Sequence, residues 1–141
     1  MKIGISACLI GKNCKYNGET NYSQKIIDFT KGHELVEICP EVMGGLPTPR
    51  TPAEKIGDRV IDKDGKDVTY EFHKGAKIAL DKLKKEGVDL VILKSKSPSC
   101  SNKLIYDGSF SGNLISGKGV FASLLDEEDI KVIDSDHIIF E

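Results

Sequence analysis

Tryptophan is absent from this 141-residue chain, and aromatic residues of any kind make up only 6%. An excess of charge is also missing: 20 Lys and Arg stand against 22 Asp and Glu, a formal net charge of −2. That balance argues against nucleic acid or an anionic lipid surface as partner and leaves room only for local basic patches. No apolar run approaches the ~20 residues of a membrane span. The opening Met1-Lys2-Ile3-Gly4-Ile5-Ser6-Ala7 reads as a strand rather than a secretory signal. The expectation is a cytoplasmic protein without membrane contact. Repeats, low-complexity tracts and linkers are lacking, so residues 1–141 read as one domain. A chain of this length buries roughly 68% of the surface its unfolded form exposes, which makes disulfides unnecessary for folding. In a reducing compartment the four cysteines are then core residues, metal ligands or reactive thiols.

What is present alternates between strand and helix patterns. Lys2 to Leu9 is an apolar strand, Ser23 to Thr30 a short helix with Ile26, Ile27 and Phe29 inward, and Leu35 to Cys39 a second strand. Four of the five prolines crowd with Gly44-Gly45 into Pro40 to Gly57, a composition that predicts a long functional loop. Asp64-Gly65 predicts a hairpin between Arg59–Ile61 and Lys66–Val68. Thr69 is the expected cap of a helix that buries Phe72, Ala76, Ala79, Leu80 and Leu83 and stops at Gly87. Val88 to Leu93 is near-continuously apolar, as in a strand covered on both faces. Leu104 to Leu114 forms a glycine-punctuated excursion, Gly119 to Leu125 a last helix and Ile130 to Ile133 a last strand. The pattern predicts an α/β fold: a three-layer, Rossmann-like domain with a mainly parallel sheet between helices.

Open sheets of that kind bind ligands beyond the carboxyl ends of their strands. Cys8 closes the first strand, Cys39 closes the second, and Cys100 follows the strand ending near Leu93. If those strands are neighbours, the three thiols converge on one edge. The spacing contains no C-x-x-C, no ferredoxin run and no zinc-finger pairing, so any shared site must be assembled by the fold. Three soft ligands suit zinc or an iron-sulfur cluster. Cys14 is open as a fourth ligand, a resolving thiol or a loop residue. His33, His73 and His137 stand in unrelated contexts and take no catalytic role. Gly117-Lys118-Gly119 lacks the full phosphate-loop pattern and reads as a turn before the last helix.

Five blocks carry a resemblance. Ser6-Ala7-Cys8-Leu9-Ile10-Gly11, Asn13-Cys14-Lys15-Tyr16-Asn17-Gly18, the stretch from Cys39 to Arg50, Lys94 to Cys100, and Ile105 to Gly112 resemble, in order, the blocks of the thiouracil desulfidases. This is a small bacterial and archaeal family formerly classed as a domain of unknown function. The resemblance covers nearly the whole chain. It implies a 4Fe-4S cluster held by three cysteines, which map onto Cys8, Cys39 and Cys100, and an acid and a hydroxyl near an open iron, which map onto Glu41 and Ser97. One residue departs from the pattern: Ser101 stands where the family usually has glycine after the third ligand.

The implied chemistry is non-redox desulfuration of a small thiolated pyrimidine such as 2-thiouracil, giving uracil and sulfide. Glu41 is expected to activate water or relay a proton, and Ser97 to orient substrate or water. Gly44 and Gly45 are expected to wall the site closely. Arg50, Lys94 and Lys96 are candidates for stabilising negative charge, and Tyr106-Asp107-Gly108 with Ser109 to Gly112 for supplying hydrogen bonds to a planar ring. A homodimer is compatible with so small an enzyme. A reading from another class is a non-catalytic protein that holds zinc or carries sulfur on the same thiols.

Overall fold

The computed structural model describes residues 2–88 and 90–136; Asp89, inside an expected strand, and His137 lie outside them. The central sheet has four parallel strands in the order β2-β1-β5-β8: β1 (Lys2–Ser6), β2 (Glu34–Ile38), β5 (Leu90–Leu93) and β8 (Val132–Asp134). Helices cover both faces, giving the expected three-layer α/β organisation. The alternation along each strand divides the core. Ile3, Ile5 and Ile92 point to one face with Leu9 and Ile26, the latter from α1 (Gln24–Phe29). Val36, Ile38, Val91 and Leu93 point to the other. There they meet Phe72, Ala76, Ala79, Leu80 and Leu83 of α3 (Thr69–Glu86) and Val120, Phe121 and Leu125 of α4 (Val120–Glu127). Each of these Val, Leu, Ile and Phe side chains contributes about 1.5–3 kcal/mol relative to exposure. Of the three α1 residues expected inward, Ile26 is buried, Ile27 is half-buried and Phe29 is 37% exposed. No helix among the described residues is long and apolar enough to cross a membrane.

Several local expectations are corrected. The chain from Pro40 to Gly57 is not one loop. Pro40 starts a single helical turn, α2 (Pro40–Met43), in the first-turn position where its missing N–H costs nothing, and Ala53–Ile56 forms β3. The β3 strand pairs antiparallel with β4 (Arg59–Asp62), so the hairpin turns at Gly57-Asp58 rather than at Asp64-Gly65. The Asp64-Gly65 turn does form. There Asp62 Oδ1 accepts the Asp64 and Lys66 N–H groups, but beyond it only an isolated bridge joins Ile61 to Asp67. Thr69 opens α3 rather than capping it: Asp67 Oδ1 accepts the Thr69 N–H at 2.9 Å, while the Thr69 hydroxyl accepts the Val60 N–H at 2.8 Å. Gly87 ends the helix in the left-handed conformation, φ 67°.

The α2 turn is seated on α3 by backbone contact. A Cβ on Gly75 would lie 1.7 Å from the Pro40 carbonyl oxygen, and one on Gly44 2.0 Å from that of Glu71. Those two glycines therefore set the position of the helical turn that follows Cys39. A second hairpin, β6 (Leu104–Tyr106) with β7 (Leu114–Ser116), stands apart from the main sheet.

Candidate active site

The register places the cysteines. Ser6 of β1 lies opposite Ile38 of β2, and Ile5 lies opposite Ile92 of β5, so the three strands end side by side. Beyond those ends Cys8 sits in a 3-10 turn (Ala7–Ile10), Cys39 caps α2, and Cys100 ends the loop after β5. All three line one cleft of about 910 Å³, and Cys14 lines it with them. The crossovers put α1 on one face and α3 on the other, so the cleft opens at the point where chain direction away from β1 reverses, the usual ligand position in such sheets.

The thiols differ in environment. Hydrogen bonding from Cys14 lowers Cys8 to about 7, helped by Asn21 and the Lys94 charge and opposed by burial. Cys39 is also lowered, first by Cys14 and then, against burial, by the Val42 N–H in the α2 turn. Cys14 is the proton holder of the three: its contacts with Cys39 and then Cys8 push it up. Burial pushes up Cys100, which is 5% exposed. The thiolate is the metal-binding and nucleophilic form, so both Cys8 and Cys39 are shifted toward the form that either role needs.

Glu41 is the hub of the polar wall. Its Oε2 accepts Arg50 Nε at 3.0 Å and an Arg50 terminal nitrogen at 2.9 Å. Its Oε1 lies 3.5 Å from the Ser97 hydroxyl. Ser97 Oγ in turn accepts the N–H groups of Ser99 and Cys100 at 3.1 and 3.0 Å, which folds the loop that presents Cys100. Arg50, with 7% of its side chain exposed, also donates to the Cys14 carbonyl at 3.0 Å. One guanidinium thus joins the α2 turn to the Cys14 loop, a geometry that Lys could not reproduce. The Lys94 amine is held by the carbonyl and hydroxyl of Ser95 at 3.0 and 3.1 Å.

Of the residues singled out in the sequence, Cys8, Cys39, Cys100, Glu41, Ser97, Arg50, Lys94 and Tyr106 line the cleft. Gly44, Gly45, Asp107 and Ser109 do not. Gly44 is spent on the α3 contact, and Asp107 folds back to accept the Ser109 N–H at 2.9 Å. Arg50 reaches the cleft wall but turns its guanidinium to Glu41 rather than to open space. Ser101, where glycine was expected, is fully buried with an ordinary negative φ, and its hydroxyl donates to the Leu104 carbonyl. The position needs no glycine. The close approach is made by Gly119, whose Cβ would lie 2.4 Å from the Ser99 carbonyl. Asn21, Glu54 and Phe110 also line the cleft. Nothing in their spacing marks Asn21 or Glu54, which reach the site only through tertiary folding.

The 2-thiouracil desulfurase family model matches residues 3–137. The uncharacterized protein YbbK of Bacillus subtilis (strain 168) is 39% identical over 144 residues, spanning 95% of this chain and 95% of that protein. A solved structure described as the 4Fe-4S-dependent thiouracil desulfidase TudS is similar with a TM-score of 0.90 and 40% identity, covering 97% of this chain and 92% of that one.

Proposed function

The chain belongs to the 2-thiouracil desulfurase family, and from that premise we propose that it is an enzyme that removes sulfur from a small thiolated pyrimidine by water, through a 4Fe-4S cluster. The observation that carries the reading is the convergence of Cys8, Cys39, Cys100, Glu41 and Ser97 on one cleft. The donor set suits the cluster. It is all sulfur, no histidine among the described residues lines the cleft, and two of the thiols are shifted toward thiolate. Sulfur donors suit zinc as well as an iron-sulfur centre, and the match to the 2-thiouracil desulfurase family supports the cluster. Cys8, Cys39 and Cys100 would hold it, and when bound it supplies an open Lewis-acidic iron to a thiocarbonyl sulfur.

The protein groups supply the water chemistry. Arg50 occupies Glu41 Oε2, which leaves Oε1 as the oxygen that takes a proton from water adding to the ring carbon. Ser97 Oγ, beside Oε1, orients that water. Glu41 then returns the proton to the departing sulfur, while the Lys94 charge, felt at Cys8, favours the anion that leaves. The C=S double bond is exchanged for C=O: one water proton reaches the sulfur through Glu41 and leaves with it as HS⁻, the second passes to solvent as the carbonyl forms, and no electron is transferred.

The test is sulfide and uracil release from 2-thiouracil by cluster-loaded protein. Glu41→Gln should lower kcat by about 100-fold or more with iron content unchanged, and Ser97→Ala by a smaller factor. Wild-type rates in both variants would remove these roles.

A further inference from the structure

A loop outside the cysteine edge forms another part of the cleft. Phe110, between β6 and β7, lines it together with Tyr106. Phe110 has φ 56°, a left-handed backbone that bulky side chains rarely adopt. The conformation is held from another element: Glu54 of β3 accepts both the Gly108 N–H at 2.9 Å and the Phe110 N–H at 3.1 Å on one carboxylate oxygen. The loop is also closed at its base by the Asp107 N–H to the Asn113 carbonyl at 3.0 Å. A strained aromatic fixed by a half-buried carboxylate and turned to a cleft brings no hydrogen bond of its own to a ligand. What it offers is a rigid flat face, and flat heterocycles are recognised by stacking on such faces.

We propose that Phe110 is the specificity-determining wall on which the planar thiolated ring stacks, and that Glu54 is the positioning residue that sets it. The inference rests on the desulfuration reading and extends it: the site selects for a flat, conjugated ring, whereas an acyclic thioamide of the same charge presents too little surface. The assay uses cluster-loaded protein with matched iron content, with 2-thiouracil and thioacetamide as probes. Phe110→Ala and Phe110→Leu should raise KM for 2-thiouracil on the order of tenfold with kcat nearly unchanged, and Phe110→Tyr should behave as wild type. Turnover of thioacetamide should be slow in wild type and no different in the Phe110 variants. Glu54→Ala should reproduce the KM effect, and Glu54→Gln, which keeps the carbonyl acceptor for both N–H groups, should restore it.

Phe110→Leu with a wild-type KM would overturn the stacking role, because leucine keeps the apolar bulk and removes only the flat face. A Glu54→Gln variant as impaired as Glu54→Ala would overturn the positioning role. Wild-type protein that releases no sulfide from 2-thiouracil would remove the desulfuration reading and this inference with it. Normal turnover with unchanged KM in the Phe110 variants would remove this inference alone.

Discussion

Replacing Arg50 by alanine removes a guanidinium that is 7% exposed and leaves its partner, the 17% exposed Glu41 carboxylate, without a counterion. The bonds lost are the 3.0 and 2.9 Å contacts to Glu41 Oε2, the 3.0 Å bond to the Cys14 carbonyl, a 3.2 Å bond to Thr48 Oγ1 and a 3.4 Å bond to the Pro47 carbonyl. Removing one partner of a buried pair costs about 3–5 kcal/mol. Glu41 retains some contact with water, so the lower end applies, roughly 3 kcal/mol. For a chain of this size that corresponds to a fall in Tm of about 10 °C. The assay is thermal unfolding of the cluster-free protein under reductant, followed by circular dichroism. Arg50→Lys should recover only part of the loss, since a point charge cannot span both Glu41 and the Cys14 carbonyl. Combining Arg50→Ala with Glu41→Gln should cost about 1–3 kcal/mol less than the sum of the two single changes. A Tm within about 2 °C of wild type, or strict additivity in the double variant, would show that the guanidinium does not hold this wall together.

Other consequences are checked separately. Gly75→Ala places a methyl group against the Pro40 carbonyl and should cost about 1–3 kcal/mol or more in unfolding free energy; iron binding should weaken with it because Cys39 and Glu41 move with the α2 turn. Cys8, lowered to about 7 from 9.0, gains its reactive form as pH rises through neutrality. Iodoacetamide labelling of Cys8 in the cluster-free protein should therefore rise with a midpoint near pH 7, and a midpoint above pH 8.5 would contradict the hydrogen-bonded thiolate. Cys100, buried and raised, should stay unlabelled throughout that range. After anaerobic reconstitution, Cys8→Ser, Cys39→Ser and Cys100→Ser should each lose most bound iron by metal analysis, and Cys14→Ser should keep it.

The legible part of the molecule was the part written in periodicity and position. The first two apolar runs, expected to reach Leu9 and Cys39, stop at Ser6 and Ile38, with Cys8 in the 3-10 turn beyond, and the three cysteines meet at one edge because the strands are parallel neighbours, as the convergence required. The α3 stripe and its Gly87 stop were equally local. What could not be read was set by contacts distant in sequence. Gly44 looked like a site wall because glycine permits close approach, but the partner it approaches is the α3 backbone. Arg50 looked like a substrate anchor because it is a cation in a loop beside Glu41, and only folding shows its bonds already taken up by Glu41 and Cys14. The Asp64-Gly65 signal marked a real turn, yet strand pairing went to Gly57-Asp58 because β3 lay hidden in a proline-rich segment. Glu54 carried no signal, since its role consists of two N–H groups more than fifty residues away.

In the proposed function, sulfur removal occurs at a cluster held by Cys8, Cys39 and Cys100. The direct measurement is anaerobic reconstitution with iron and sulfide, followed by addition of 2-thiouracil and parallel assay of uracil and sulfide. Iron and sulfide should bind in the amounts of one 4Fe-4S cluster per chain, with broad visible absorption and equal uracil and sulfide release that disappears when the cluster is removed. Uracil formation by the cluster-free protein, or a fully loaded cluster with no sulfide release, would contradict the proposed function.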